Sequence, residues 1–147
     1  MSEHQMTVDP DKLTEILAAR LAAIVPHGIH VRAADGMLWY SCGGRFPSDV
    51  NSYRPGQSGT FVRGNFEAHP EDASDAQSAA NVARQALDEL QDFVDEATRN
   101  PWPGIARPPW PFAEIRGEML HLWYGGPDSG DEPVLACAPI PLTSVRS

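Results

Sequence analysis

At 147 residues and a net charge of −9, the chain has the length of one domain and the wrong sign for a nucleic-acid backbone or an anionic membrane surface. Hydrophobic residues make up 41% and charged residues 21%, near globular averages, which sets aside disorder along the whole chain. Two cysteines, Cys42 and Cys137, are too few for a disulfide framework, and the polar stretch from Met1 to Met6 has the pattern of neither a leader peptide nor a membrane span. A cytoplasmic, reducing compartment is therefore expected. Lys12 is the sole lysine among 11 basic residues, a bias typical of GC-rich bacterial coding.

Asp9-Pro10 opens a helix, with Asp9 as cap and Pro10 suited to the first turn. Leu13, Ile16, Leu17, Leu21 and Ile24 follow at helical spacing, and Pro26 and Gly28 end it. A hairpin comes next, 29–33 and 38–42, around the type I′ turn pair Asp35-Gly36. That turn sets a register in which Ala34 faces Met37, Arg32 faces Trp39 and His30 faces Ser41. Ile29, Val31, Ala33, Leu38, Tyr40 and Cys42 then share the core side; His30, Arg32, Met37, Trp39 and Ser41 share the other. Residues 43–59, rich in Gly, Pro and Ser, read as a long loop, 60–63 as a third strand and 69–75 as a polar lead-in.

The second helix spans 74–99. Ala76, Ala80, Ala83, Leu87, Leu90, Val94 and Ala97 recur at 4-3 spacing; Val82, Ala86 and Phe93 widen the stripe to the breadth of a helix lying on a sheet rather than a coiled-coil seam. Asn100-Pro101 stops it. Residues 101–111 are proline-rich and extended; their PxxP pattern at 108–111 reads as a connector covering a sheet edge. Strands 112–116 and 119–124 surround Gly117-Glu118, a type II′ turn, so Arg116 faces Met119, Glu114 faces His121 and Phe112 faces Trp123. A last strand, 133–138, follows a turn at 128–131. Tails 1–8 and 140–147 are expected to be irregular.

The order α-β-β-β-α-β-β-β predicts a single α+β domain over 1–147, with one mainly antiparallel sheet and two helices on one face. It has the look of two α-β-β-β halves: Val31-Arg32 precedes Met37-Leu38-Trp39-Tyr40, and Ile115-Arg116 precedes Met119-Leu120 and then Trp123-Tyr124. In topology alone the order is similar to that of small acidic secretion chaperones, a likeness that implies no site residue.

If both hairpins share that sheet, its outer face collects Arg32, Met37, Trp39, Phe112, Arg116, Met119, His121 and Trp123, and Arg63 joins from the third strand. Aromatic, Met and Arg side chains are those enriched in interfaces, so this is the candidate partner-binding face, unless loop 43–59 or the proline-rich connector folds over it. The negative charge is concentrated elsewhere. Glu67, Glu71, Asp72, Asp75, Asp88, Glu89, Asp92, Asp95 and Glu96 are relieved only by Arg84. Asp88, Glu89, Asp92, Asp95 and Glu96 form an acidic surface, either a solvated helix face or a dock for a basic partner.

His30, His121 and Glu114 have ligand-type side chains, but cross-strand pairing accounts for them better than a metal triad. Both cysteines read as core packing, no serine stands in an elbow, and Gly56-Gln57-Ser58-Gly59 lacks the lysine and helix of a phosphate loop. No catalytic set, metal or cofactor is implied. The reading favoured is a non-enzymatic interaction protein (an inhibitor, immunity, chaperone-like or adaptor subunit) that binds a protein partner, basic in character, or itself. The alternative is a small-ligand binder or enzyme with a pocket between the sheet face and loop 43–59, using His30, His121, Glu114 and Arg32.

Overall fold

The computed structural model describes residues 7–43, 46, 56–68, 75–103, 110–125 and 134–147. Most of loop 43–59, the lead-in 69–74 with Glu71 and Asp72, the first half of the PxxP stretch (108 and 109), the turn at 128–131 and the first six residues of the N-terminal tail lie outside them.

Helix α1 (Pro10–Ala22) begins where its cap dictates: the Asp9 carboxylate accepts the amides of Asp11 at 2.9 Å and Lys12 at 3.4 Å. Strands β1 (Ile29–Ala34) and β2 (Met37–Cys42) pair in the expected register, with Arg32 opposite Trp39. Asp35 and Gly36 take φ values of +55° and +73°, as a type I′ turn requires. Strand β3 (Gln57–Phe61) pairs with β2 and sets Gly59 opposite Trp39. β3 ends two residues before the expected boundary because Arg63 instead opens a short helix, α2 (Arg63–Ala68), which the sequence reading did not foresee. The turn holds that helix in place, since the Gly36 carbonyl accepts the amides of Val62 at 3.1 Å and Arg63 at 3.0 Å.

Helix α3 (Asp75–Thr98) matches its apolar stripe. Strands β4 (Trp110–Arg116) and β5 (Met119–Gly125) pair as the Gly117 turn predicts, with Phe112 opposite Trp123. The far side of β5 is covered by two short strands, β6 (Leu135–Ala136) and β7 (Ile140–Pro141), so the final segment is not irregular. A 3₁₀ turn, Leu142–Val145, follows. It meets the other end of the chain: Asp9 N–H donates to Val145 O at 2.8 Å, and Val8 bridges Arg146.

The α+β class stands. The two hairpins, however, sit in separate antiparallel sheets, β1-β2-β3 and β4-β5-β6 with β7, rather than in one. The long helix joins them, for α3 packs against strands of both sheets. Its residues Ala79, Ala83, Ala86, Leu87, Leu90 and Val94 are buried in one apolar cluster with Leu38 and Tyr40 from the first sheet and Leu120, Leu122 and Tyr124 from the second. Small alanines on the stripe let both sheets approach the helix closely. Among the described residues, no helix is long and apolar enough to cross a membrane.

Candidate functional site

The two Trp-Tyr dipeptides show how the pleat divides labour. In each, the tyrosine points inward. The Tyr40 hydroxyl bonds the Thr60 hydroxyl at 2.6 Å and reaches Ala86 O at 3.4 Å; the Tyr124 hydroxyl donates to Leu87 O at 2.5 Å. Burial pushes the Tyr124 hydroxyl far above its ordinary range, so it stays a neutral donor. The tryptophans point the other way, and there the two halves part.

On the first sheet the outer side is closed over β2, while His30 on β1 and Phe61 on β3 stay exposed at its margins. Trp39 is only 2% exposed and Met37 only 4%, and Ser41 is fully buried. The Trp39 indole donates to Ala34 O at 2.9 Å, and Phe46, from the loop after β2, lies under the Arg32 guanidinium at 4.6 Å. Met37 and Trp39, expected on an open binding face, are thus packing residues, since an indole and a thioether this size are buried wherever a segment can cover them. Arg32 stays exposed beside them. Arg63 is not on this face either. It leaves the strand, and its guanidinium pairs with Asp11 of α1 at 2.8 Å.

The outer side of the second sheet is open in part. Phe112 and Trp123 stack with ring centroids 5.3 Å apart and planes 15° from parallel. The Arg116 guanidinium lies 5.2 Å from the Trp123 ring centroid and is anchored by Glu114 at 3.0 Å. Met119 and His121 are half-buried on the same side, and Trp110, two residues before Phe112, is 66% exposed. The sequence reading missed Trp110 by assigning it to the proline-rich connector. The signal was present: Trp110, Phe112 and Glu114 continue one alternation, and only the flanking prolines disguised it.

The acidic surface has its own geometry. Asp88, Asp92 and Glu96 are exposed along α3, with Glu89 half-buried beside them. Asp95 has a structural role: it accepts the Trp102 amide at 2.6 Å, which holds Trp102 edge-on to Tyr124 at 5.1 Å. Glu89, Asp92 and Glu96 line a cleft of about 760 Å³ between α3 and the ends of β2 and β3. Phe93, Ala97 and Cys42 form its apolar part, Gln57 and Ser58 its far wall, and Arg99 one end. Cys42, expected in the core, is exposed here at the end of its strand. Burial, followed by the neighbouring charges of Asp88 and Asp95, raises the Asp92 carboxyl above its ordinary range.

His121 does face Glu114 across β4 and β5, but His30 is on β1, in the other sheet. Among the described residues, no group of three or more His, Cys, Asp or Glu is arranged to hold a metal ion. Cys137 is buried, and burial lifts its thiol to about 11, so it packs as a small apolar side chain. Comparison with family models, curated proteins and solved structures yields no match to this chain.

Proposed function

We propose that this protein is a small, non-enzymatic interaction subunit of the cytoplasm, which grips a protein partner or a second copy of itself through the outer face of β4 and β5. The supporting observation is an exposed indole, Trp110, set beside a rigid Phe112–Trp123 stack that Arg116 caps. Trp and Arg dominate interface hot spots, because a large, pre-ordered side chain loses little entropy when a partner covers it. Met119 and His121 widen the same patch. Arg32, Met37, Trp39 and Arg63 drop out of it. The two unpaired cysteines fit a reducing compartment.

The test is the Trp110→Ala variant. Truncating an exposed side chain leaves the fold intact, so sedimentation velocity and quantitative partner capture can be compared directly with the parent chain. The expected result is at least a tenfold loss of self-association or of capture, the size of a hot-spot truncation. A chain that is monomeric at all concentrations, and whose captured proteins are the same with and without Trp110, would rule this reading out.

A further inference from the structure

We infer that the cleft between α3 and the ends of β2 and β3 receives a basic segment of the partner, whose arginine or lysine side chains lie against Glu89, Asp92 and Glu96. This inference rests on the interaction reading but uses a different surface from the aromatic face.

The cleft is concave and of ligand size: about 760 Å³, within the range of roughly 300–1,000 Å³ typical of binding sites. Its chemistry has two parts. Phe93, Ala97 and Cys42 offer apolar surface for the aliphatic stem of a long basic side chain. Glu89, Asp92 and Glu96 stand where its charged head would arrive. Glu89, Asp92 and Glu96 are three and four residues apart, so they fall on one line of the helix and span about 10.5 Å. An extended chain places alternate side chains about 6.6 Å apart, so two basic residues separated by one other fit that length.

Among the described residues, none of the three cleft carboxylates is in an ion pair, and the Gln85 amide donates to Glu89 at 3.3 Å. The ion pairs among the described residues are Arg63–Asp11 and Arg116–Glu114, and neither involves α3. Burial first, and then the charges of Asp88 and Asp95, raises the proton affinity of Asp92, and a cation bound beside it would favour the ionised form. The net charge of −9 adds long-range attraction for such a segment.

The experiment titrates an acetylated, amidated peptide of three Arg-Gly repeats into the full chain and follows backbone amide shifts by NMR. Shifts are expected in 89–97 and at Gln57 and Ser58. The variant E89Q/D92N/E96Q is expected to bind about tenfold more weakly or worse. The control E15Q/D35N/E118Q removes the same charge from exposed positions elsewhere, and should weaken binding by only about twofold, through screened long-range attraction.

Equal losses in the two variants, shifts scattered over the other acidic positions, or no shifts at all would overturn the inference. Trp110→Ala separates it from the reading above. If that variant loses its partner while the peptide fails to bind the parent chain, the cleft inference falls alone. If the peptide binds as expected and Trp110→Ala changes nothing, the aromatic face falls alone.

Discussion

Tyr40 and Tyr124 close the two Trp-Tyr dipeptides of the sequence, and their hydroxyls come to rest at adjacent carbonyls of α3, those of Ala86 and Leu87. Their loss should not be equal. Tyr124→Phe removes a donor from a carbonyl within a helix, at a cost of about 1 kcal/mol. Tyr40→Phe also strands the Thr60 hydroxyl, which is fully buried, and should cost about 2 kcal/mol. Urea unfolding of Y40F, T60V and Y40F/T60V checks this: the double variant should be more stable than Y40F alone, because no buried hydroxyl is then left without its partner. The cysteines differ as sharply. Cys42 is exposed, whereas burial holds the Cys137 thiol protonated up to about pH 11. Iodoacetamide at pH 8 should therefore modify Cys42 alone in the native protein and reach Cys137 only in denaturant, as read by peptide mass mapping. Because the folded state holds that proton more tightly than the unfolded chain does, the Cys137 contribution to stability is complete below the ordinary thiol range. It is lost as pH climbs towards 11.

Helix α3 carries opposite demands on its two sides. Its alanine-rich stripe is buried between the sheets, while on the other side burial first, and then the charges of Asp88 and Asp95, work against an ionised Asp92. The raised Asp92 carboxyl records the cost. A carboxyl whose folded-state proton affinity is raised stabilises the fold while protonated and opposes it once ionised, so its penalty is present at neutral pH and vanishes below the aspartate range. Asp92→Asn should therefore raise the urea midpoint at pH 7. The gain should shrink only in part with salt, which screens the Asp88 and Asp95 charges but not the burial, and disappear near pH 3. The opposite sign, a loss of stability at pH 7, would mean that Asp92 makes a favourable contact. Asp95 would behave otherwise, because its carboxylate holds the Trp102 amide that starts the connector.

At the scale of the molecule, one helix serves two sheets, and this arrangement makes a prediction about cooperativity. Leu90 is fully buried in the shared cluster. Leu90→Ala should cost about 2–5 kcal/mol, and hydrogen exchange at Leu38 and Tyr40 should accelerate by the same factor as at Leu120 and Leu122. Acceleration on one sheet only would mean that the halves open independently. The α+β class, the Asp9 cap, both hairpin turns, both registers and the length of α3 were legible in the sequence, because each is set within a few residues by φ preference, capping or alternation. Arg63 shows where that reasoning stops: the Gly36 carbonyl takes its amide and Asp11 takes its guanidinium, so a tertiary contact converts a strand end into a helix start. Trp39 and Trp123 show it again, with matching local patterns and different fates. One is sealed at 2% exposure; the other is half-buried beside an open Trp110. Local sequence by itself determined which way each side chain leaves its strand. Only the tertiary structure decided whether the hairpins share a sheet, which outer face is closed and where the acidic helix borders a cleft, because these depend on which distant segment arrives to exclude water, and no local preference encodes that.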